Sequence, residues 1–155
     1  DARLGSATLS VGRIDGGTSV NTVPDQCRIE IDRRLLPGES APAALEHLHD
    51  YLTRHVDPSL TFSFSAPWLS APALSPAGSG ELVARLGSAI DQVRGAHQVL
   101  AVPYGTDAAP LAESGIPAVV FGPGDIARAH TCDEWVPLDE VEQASAILYR
   151  LACAV

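Results

Sequence analysis

The chain has 155 residues and a formal net charge of -9, and all ten of its basic residues are arginine. That length suits one ordinary domain or two small ones with a genuine core. The acidic balance excludes a nucleic-acid surface, which needs a basic stripe, and no run of 18 apolar residues offers a membrane span. Cys27, Cys132 and Cys153 are odd in number and form no CxxC pair, so no disulfide framework or cysteine-rich zinc site is expected. A reducing cytoplasm is the expected compartment.

Ala7, Leu9 and Val11 alternate with Thr8, Ser10 and Gly12, the period-two pattern of a strand with one buried face. Cys27, Ile29 and Ile31 alternate with Arg28, Glu30 and Asp32, and Pro37-Gly38 ends that strand. Ser40 is placed to cap a helix whose Leu45, Leu48 and Leu52 share one face. His47, His49 and His55 fall on or beside its solvated part. Leu60, Phe62 and Phe64 predict a third strand. The first 65 residues therefore read as an antiparallel sheet covered on one side by a helix, an α+β unit without its opening elements.

Residues 66–80 carry Pro67, Pro72 and Pro76 among Ser and Gly, the composition of a linker. Residues 81–155 then alternate helix and strand. Leu82, Val83, Leu86, Ile90 and Val93 give a helical stripe that Gly95 can end. Val99 to Val102 predicts a short strand. Thr106 or Asp107 opens a helix, with Pro110 in its first turn and Gly115 after its end. Pro117 to Phe121 predicts a strand buried on both faces. Asp139 and Glu142 predict a capping box, with Val141, Ala144, Leu148 and Leu151 as the buried stripe of the last helix. This is the closing portion of an α/β domain, with too few strands for a stable sheet.

Chemistry is sought where loops follow parallel strands. Tyr104-Gly105-Thr106-Asp107 could present free N–H groups to a carboxylate, and Gly122-Pro123-Gly124-Asp125 could let the backbone approach a ligand. On the residues alone, a plain turn and N-cap is the commoner reading of each. His130 could ligate zinc with Asp133 or Glu134 behind it, or could simply be exposed. Arg34 could clamp a carboxylate while the Asn21 amide binds a carbonyl oxygen, or both could be solvated. Cys132 is read as a bystander, and the absence of a GxSxG elbow makes a serine hydrolase a distant third reading.

In register, these segments resemble a zinc-dependent family containing acetylornithine deacetylase, succinyl-diaminopimelate desuccinylase, aminoacylase-1 and carboxypeptidase G. Gly12-Arg13-Ile14-Asp15-Gly16-Gly17 through Asn21-Thr22-Val23-Pro24 to Asp32-Arg33-Arg34-Leu35-Leu36-Pro37-Gly38-Glu39 resembles its lid, or dimerisation, domain. Gly105-Thr106-Asp107-Ala108, Gly115-Ile116-Pro117, Phe121-Gly122-Pro123-Gly124 and Ala129-His130-Thr131 through Glu134 resemble the end of its catalytic domain.

The resemblance implies a partial ferredoxin-like lid over residues 1–65, a hinge over 66–80 and the C-terminal portion of the catalytic domain over 81–155. It makes His130 the last metal ligand and Asn21 a contact to the scissile carbonyl. Arg34 becomes a contact to the substrate carboxylate, and Gly105, Thr106 and Gly124 become substrate-pocket contacts. It implies two zinc ions in the parent enzyme, with cobalt or manganese as alternatives, an N-acyl amino acid or peptide substrate, and a homodimer formed through the lid. The family's other ligands and its Glu base have no counterpart here. The chain is accordingly expected to be a C-terminal fragment, inactive without the missing N-terminal half. A non-catalytic dimerisation module is the alternative.

Overall fold

A computed structural model describes residues 1–154. It divides into two compact units: Asp1–Ala73 with Ala101–Tyr104, and Leu74–Leu100 with the chain from Gly105 onward.

In the first unit, β1 (Leu9–Gly16) and β2 (Cys27–Arg33) form an antiparallel pair. Val11 lies opposite Ile31 and Ile14 opposite Ile29, although Val11 and Ile14 are three positions apart. An odd spacing would put them on opposite faces. The register shift between Val11 and Arg13 inserts Gly12 as an extra residue and returns Ile14 to the apolar face. The other face carries Arg13, Asp15, Arg28, Glu30 and Asp32. There Arg13 pairs with Asp15 at 3.2 Å and Glu30 at 3.8 Å, in contacts too exposed to contribute more than about 1 kcal/mol each. A Cβ at Gly16 would stand 2.8 Å from the Gln26 carbonyl oxygen, so any larger residue there must shift the backbone.

Helix α1 (Ala41–His55) starts as expected: the Ser40 hydroxyl accepts the Ala43 N–H at 3.3 Å, and Arg54 and His55 complement the C-terminal dipole. Ala44, Leu45, Leu48 and Leu52 are its half-buried face, and His47, His49 and His55 are exposed. The third strand does not form. Residues 60–64 have no backbone ladder partner among the described residues, and alternation alone cannot make a strand without one. Phe62 and Phe64 instead set their rings 5.8 Å from that of His49.

In the second unit, α2 (Gly80–Arg94) and α4 (Leu138–Cys153) supply the core, with Leu86, Ala89 and Ile147 buried and Val93, Val119, Phe121 and Leu151 packed around them. Gly95 ends α2 in the left-handed conformation, φ 86°. Arg85 reaches across from α2 to the Leu151 and Ala154 carbonyls, satisfying the C-terminal end of α4.

Ser79, 2% exposed, is the N-cap residue of α2, but its side chain makes no capping bond there. Its hydroxyl donates to the Ala118 carbonyl and accepts the Ala118 N–H, both at 3.0 Å, standing in for a neighbouring strand. Residues 117–121 are thus held without a ladder, contrary to the predicted strand. They are not buried on both faces either: Val119 and Phe121 face the helices while Val120 is exposed, because no second layer covers it among the described residues. Val99–Val102 likewise pairs with nothing among the described residues.

Helix α3 (Ala108–Glu113) has Pro110 in its first turn and Gly115 beyond its end at φ 81°. Helix α4 departs from expectation twice. Pro137 is its N-cap, which moves Asp139 inside the first turn and leaves no capping box with Glu142. The buried stripe runs through Ala144 and Ile147, and Leu148 is 51% exposed.

Candidate functional site

Both Asn21 and Arg34 lie in the first unit. Asn21 sits in the exposed loop between β1 and β2. The Ser19 hydroxyl donates to its Oδ1 at 2.6 Å and also meets the Thr22 hydroxyl at 3.0 Å. With the carbonyl end of the amide engaged, its NH2 end has no partner among the described residues and is suited to donating toward a carbonyl oxygen. Arg34 follows β2 directly. Its N–H donates to the Thr8 carbonyl at 2.9 Å, extending the pairing by one residue, and its guanidinium meets Asp32. Alternation placed Asp32 and Arg34 on one face, so this partnership could have been found in the sequence.

Beyond Arg34 the chain turns through Pro37-Gly38, with Gly38 at φ 92°. Glu39 closes that turn: Oε2 accepts the Leu36 N–H at 2.8 Å and Oε1 meets Arg33 at 3.0 Å. The Leu36 N–H and then the Arg33 guanidinium hold the Glu39 carboxyl below its ordinary pKa. Arg33 also donates through Nη1 to the Arg34 carbonyl.

The remaining candidates lie in the second unit. At α3, the expected free N–H groups are not free. The Thr106 hydroxyl accepts the Ala108 N–H at 3.3 Å and the Thr106 carbonyl accepts the Ala109 N–H at 3.2 Å. A helix this short uses its own Thr-Asp start to satisfy its orphan donors. Gly105 precedes it with open space where a Cβ would be. Gly124, at φ 89°, has its N–H taken by Oε2 of Glu140 at 2.8 Å, and a Cβ there would meet Val136 at 3.3 Å. Its backbone approaches Val136 closely, and its amide is not free for a ligand.

His130 stands at φ 60°, the single non-glycine residue with positive φ among those described. Its N–H donates to Oε2 of Glu134 at 3.0 Å, while Thr131 donates to the Arg128 carbonyl at 2.7 Å. The Arg128 guanidinium lies 4.7 Å from the Trp135 ring centroid. This loop closes a shallow, open cleft lined by Gly124, Ile126, Arg128, Glu134, Trp135 and Val136. Gly124 and the residues flanking His130 are therefore brought together. The partners Ser19, Glu140 and Trp135 were not anticipated, since each acts through a contact that spacing does not encode.

Zinc requires three or four nitrogen, sulfur or oxygen donors converging on one point. Among the described residues no three His, Cys, Asp or Glu side chains do so. His130 offers one imidazole, and the Glu134 carboxylate is engaged with the His130 backbone N–H. These residues alone do not fit a zinc centre, and no hydrolytic step follows from them.

The chain matches the model of Peptidase family M20/M25/M40 over residues 5–154. It belongs to that family. Over 148 residues it is 34% identical to a Mycobacterium tuberculosis protein provisionally named succinyl-diaminopimelate desuccinylase DapE, covering 92% of this chain and 37% of that protein. An acetylornithine deacetylase of Myxococcus xanthus is 32% identical over 146 residues, with coverages of 92% and 37%. An N-acetyl-L-citrulline deacetylase of Xanthomonas campestris is 31% identical over 149 residues, with 92% and 38% covered. The chain thus spans somewhat over a third of the length of these M20 relatives. Among its described residues no helix is long and apolar enough to cross a membrane.

Proposed function

We propose that the chain is part of an M20 amide hydrolase acting on N-acyl amino acids. The observation that carries this is the family match across residues 5–154, which includes the constrained His130 loop. The relatives named above are deacylases by name, which favours release of an acyl group from an amino-acid nitrogen over endopeptidase chemistry.

In this reading residues 1–65 belong to the lid, 66–80 are the hinge and 81–155 close the catalytic domain. His130 supplies one ligand to a zinc centre whose other ligands and base come from the rest of the family's length. Zinc there would polarise the amide carbonyl and activate water. The contributions of this chain are binding and orientation. Arg34 holds the free carboxylate of the substrate, the Asn21 amide donates to the carbonyl oxygen as charge develops on it, and Gly105, Thr106 and Gly124 line the pocket. Catalysis needs the whole set, so the chain alone releases no product.

The test is complementation. The chain is mixed or co-expressed with a polypeptide carrying the remaining length of a matched relative, and hydrolysis of N-acetylated and N-succinylated amino acids is followed. Turnover that appears only in the mixture, and disappears with His130→Ala, is the expected result. Turnover by the chain alone, or a mixture indifferent to His130→Ala, would sink the proposal.

One observation favours a second role for the first unit, as a dimerisation surface. Leu9, Val11, Ile14 and Ile29 expose an apolar sheet face, and among the described residues β1 and β2 each pair on one side only. Light scattering decides it: a strict monomer at all concentrations removes this role.

A further inference from the structure

The polar contacts around Arg34 fall on three different parts of one residue. Its backbone N–H is fixed by Thr8, its carbonyl by Arg33, and its side chain by Asp32. Arg33 is itself held, since Glu39 takes its Nη2 at 3.0 Å while also accepting the Leu36 N–H. The turn following β2 is therefore stapled on both sides of the Arg34 α-carbon.

The side-chain contact is one-sided. A single oxygen, Asp32 Oδ2, lies 2.9 Å from Nε and 2.8 Å from Nη2 of Arg34. Asp32 thus occupies the Nε edge of the guanidinium and leaves the end-on fork of Nη1 and Nη2 without an acceptor among the described residues. That fork is the edge whose paired N–H groups match a second carboxylate bidentately. Both side chains are about half exposed, at 53% and 54%, so the pair does little for stability. Its effect is on direction: Asp32 fixes the plane of the guanidinium, and the stapled backbone fixes where that plane starts.

We infer that Asp32 is a positioning residue for Arg34, presenting the Nη1/Nη2 fork to the carboxylate of the substrate. This rests on the substrate-carboxylate reading of Arg34 above. Simple electrostatics predicts the opposite sign, because removing a neighbouring negative charge should strengthen anion binding. The sign of the effect therefore decides between a positioner and a competitor.

The experiment uses the whole chain and N-acetylalanine, with N-acetylalaninamide as the probe lacking a carboxylate. Arginine side-chain N–H signals are followed by NMR, with Arg34 assigned by its loss in Arg34→Ala. Asp32→Ala should weaken N-acetylalanine binding roughly two- to fivefold, the ratio equivalent to an exposed charge pair. Asp32→Asn keeps an acceptor oxygen and should restore it. The amide probe should not respond, and Asp32→Ala should change nothing in an Arg34→Ala background. Equal or tighter N-acetylalanine binding by Asp32→Ala overturns the inference while leaving Arg34 as the contact. Binding that Arg34→Ala does not diminish, or no binding by the wild type, overturns both.

Discussion

The N–H of His130 donates to the Glu134 carboxylate at 3.0 Å across a loop whose backbone is left-handed at His130, φ 60°. Histidine is among the few residues enriched in that conformation, yet any side chain there is strained relative to glycine. The loop keeps the conformation through Glu134 and the Thr131–Arg128 contact. His130→Gly is expected to be more stable than His130→Ala by about 1 kcal/mol in urea denaturation, since alanine retains the left-handed cost and glycine does not. Alanine equal to or better than glycine would show that the loop is not left-handed in solution.

Ile147 and Leu148 are neighbours with opposite environments, 1% and 51% exposed. Ile147→Ala should cost about 2–5 kcal/mol by removing a fully buried side chain from between the helices. Leu148→Ala should stay within about 1 kcal/mol of wild type, since half its surface is already wet. Thermal or urea denaturation of the two variants reads the contrast directly. Similar losses in both would return Leu148 to the buried stripe.

That contrast shows where the sequence was readable. Elements closed by local chemistry were legible: Ser40 before α1, Gly95 after α2, and Pro110 and Gly115 around α3. Predicted strands at 60–64, 99–102 and 117–121 have the right residues but no partner among the described residues, and a strand exists only as half of a pair. Leu148 and Ile147 both fit a helical stripe, and the choice depends on where α2 lies, which periodicity does not contain. Among the candidate residues, His130 and Arg34 were singled out by the family resemblance, since type and position alone also fit exposed side chains. The occupied N–H groups of Ala108 and Gly124 depend on Thr106 and on Glu140, the latter sixteen residues away.

Glu39 gives a pH dependence with a definite sign. Its folded pKa is lowered, first by the Leu36 N–H and then by Arg33, so its contribution is complete above the unfolded carboxylate pKa. It is lost as pH falls through the lower folded value, when the protonated acid releases Leu36 and Arg33. An NMR titration of the Glu39 carboxyl should give a midpoint below the ordinary glutamate range, returning toward it in Leu36→Pro, which has no N–H to donate. A midpoint in the ordinary range in the wild type would mean the turn is open in solution.

His97 lies against Gly87 of α2, with its Nδ1 2.8 Å from Asp91 Oδ1. A Cβ at position 87 would come within 2.5 Å of the imidazole, so alanine there must displace the ring. Two effects oppose. Alanine improves the helix by up to about 1 kcal/mol, while displacement forfeits the packing and the Asp91 contact. Gly87→Ala alone should therefore be neutral or destabilising, and in a His97→Ala background the same change should stabilise by up to about 1 kcal/mol. A double-mutant cycle in urea isolates the coupling. If Gly87→Ala stabilises equally in both backgrounds, the ring does not rest on Gly87, and the segment after α2 is held by something other than His97.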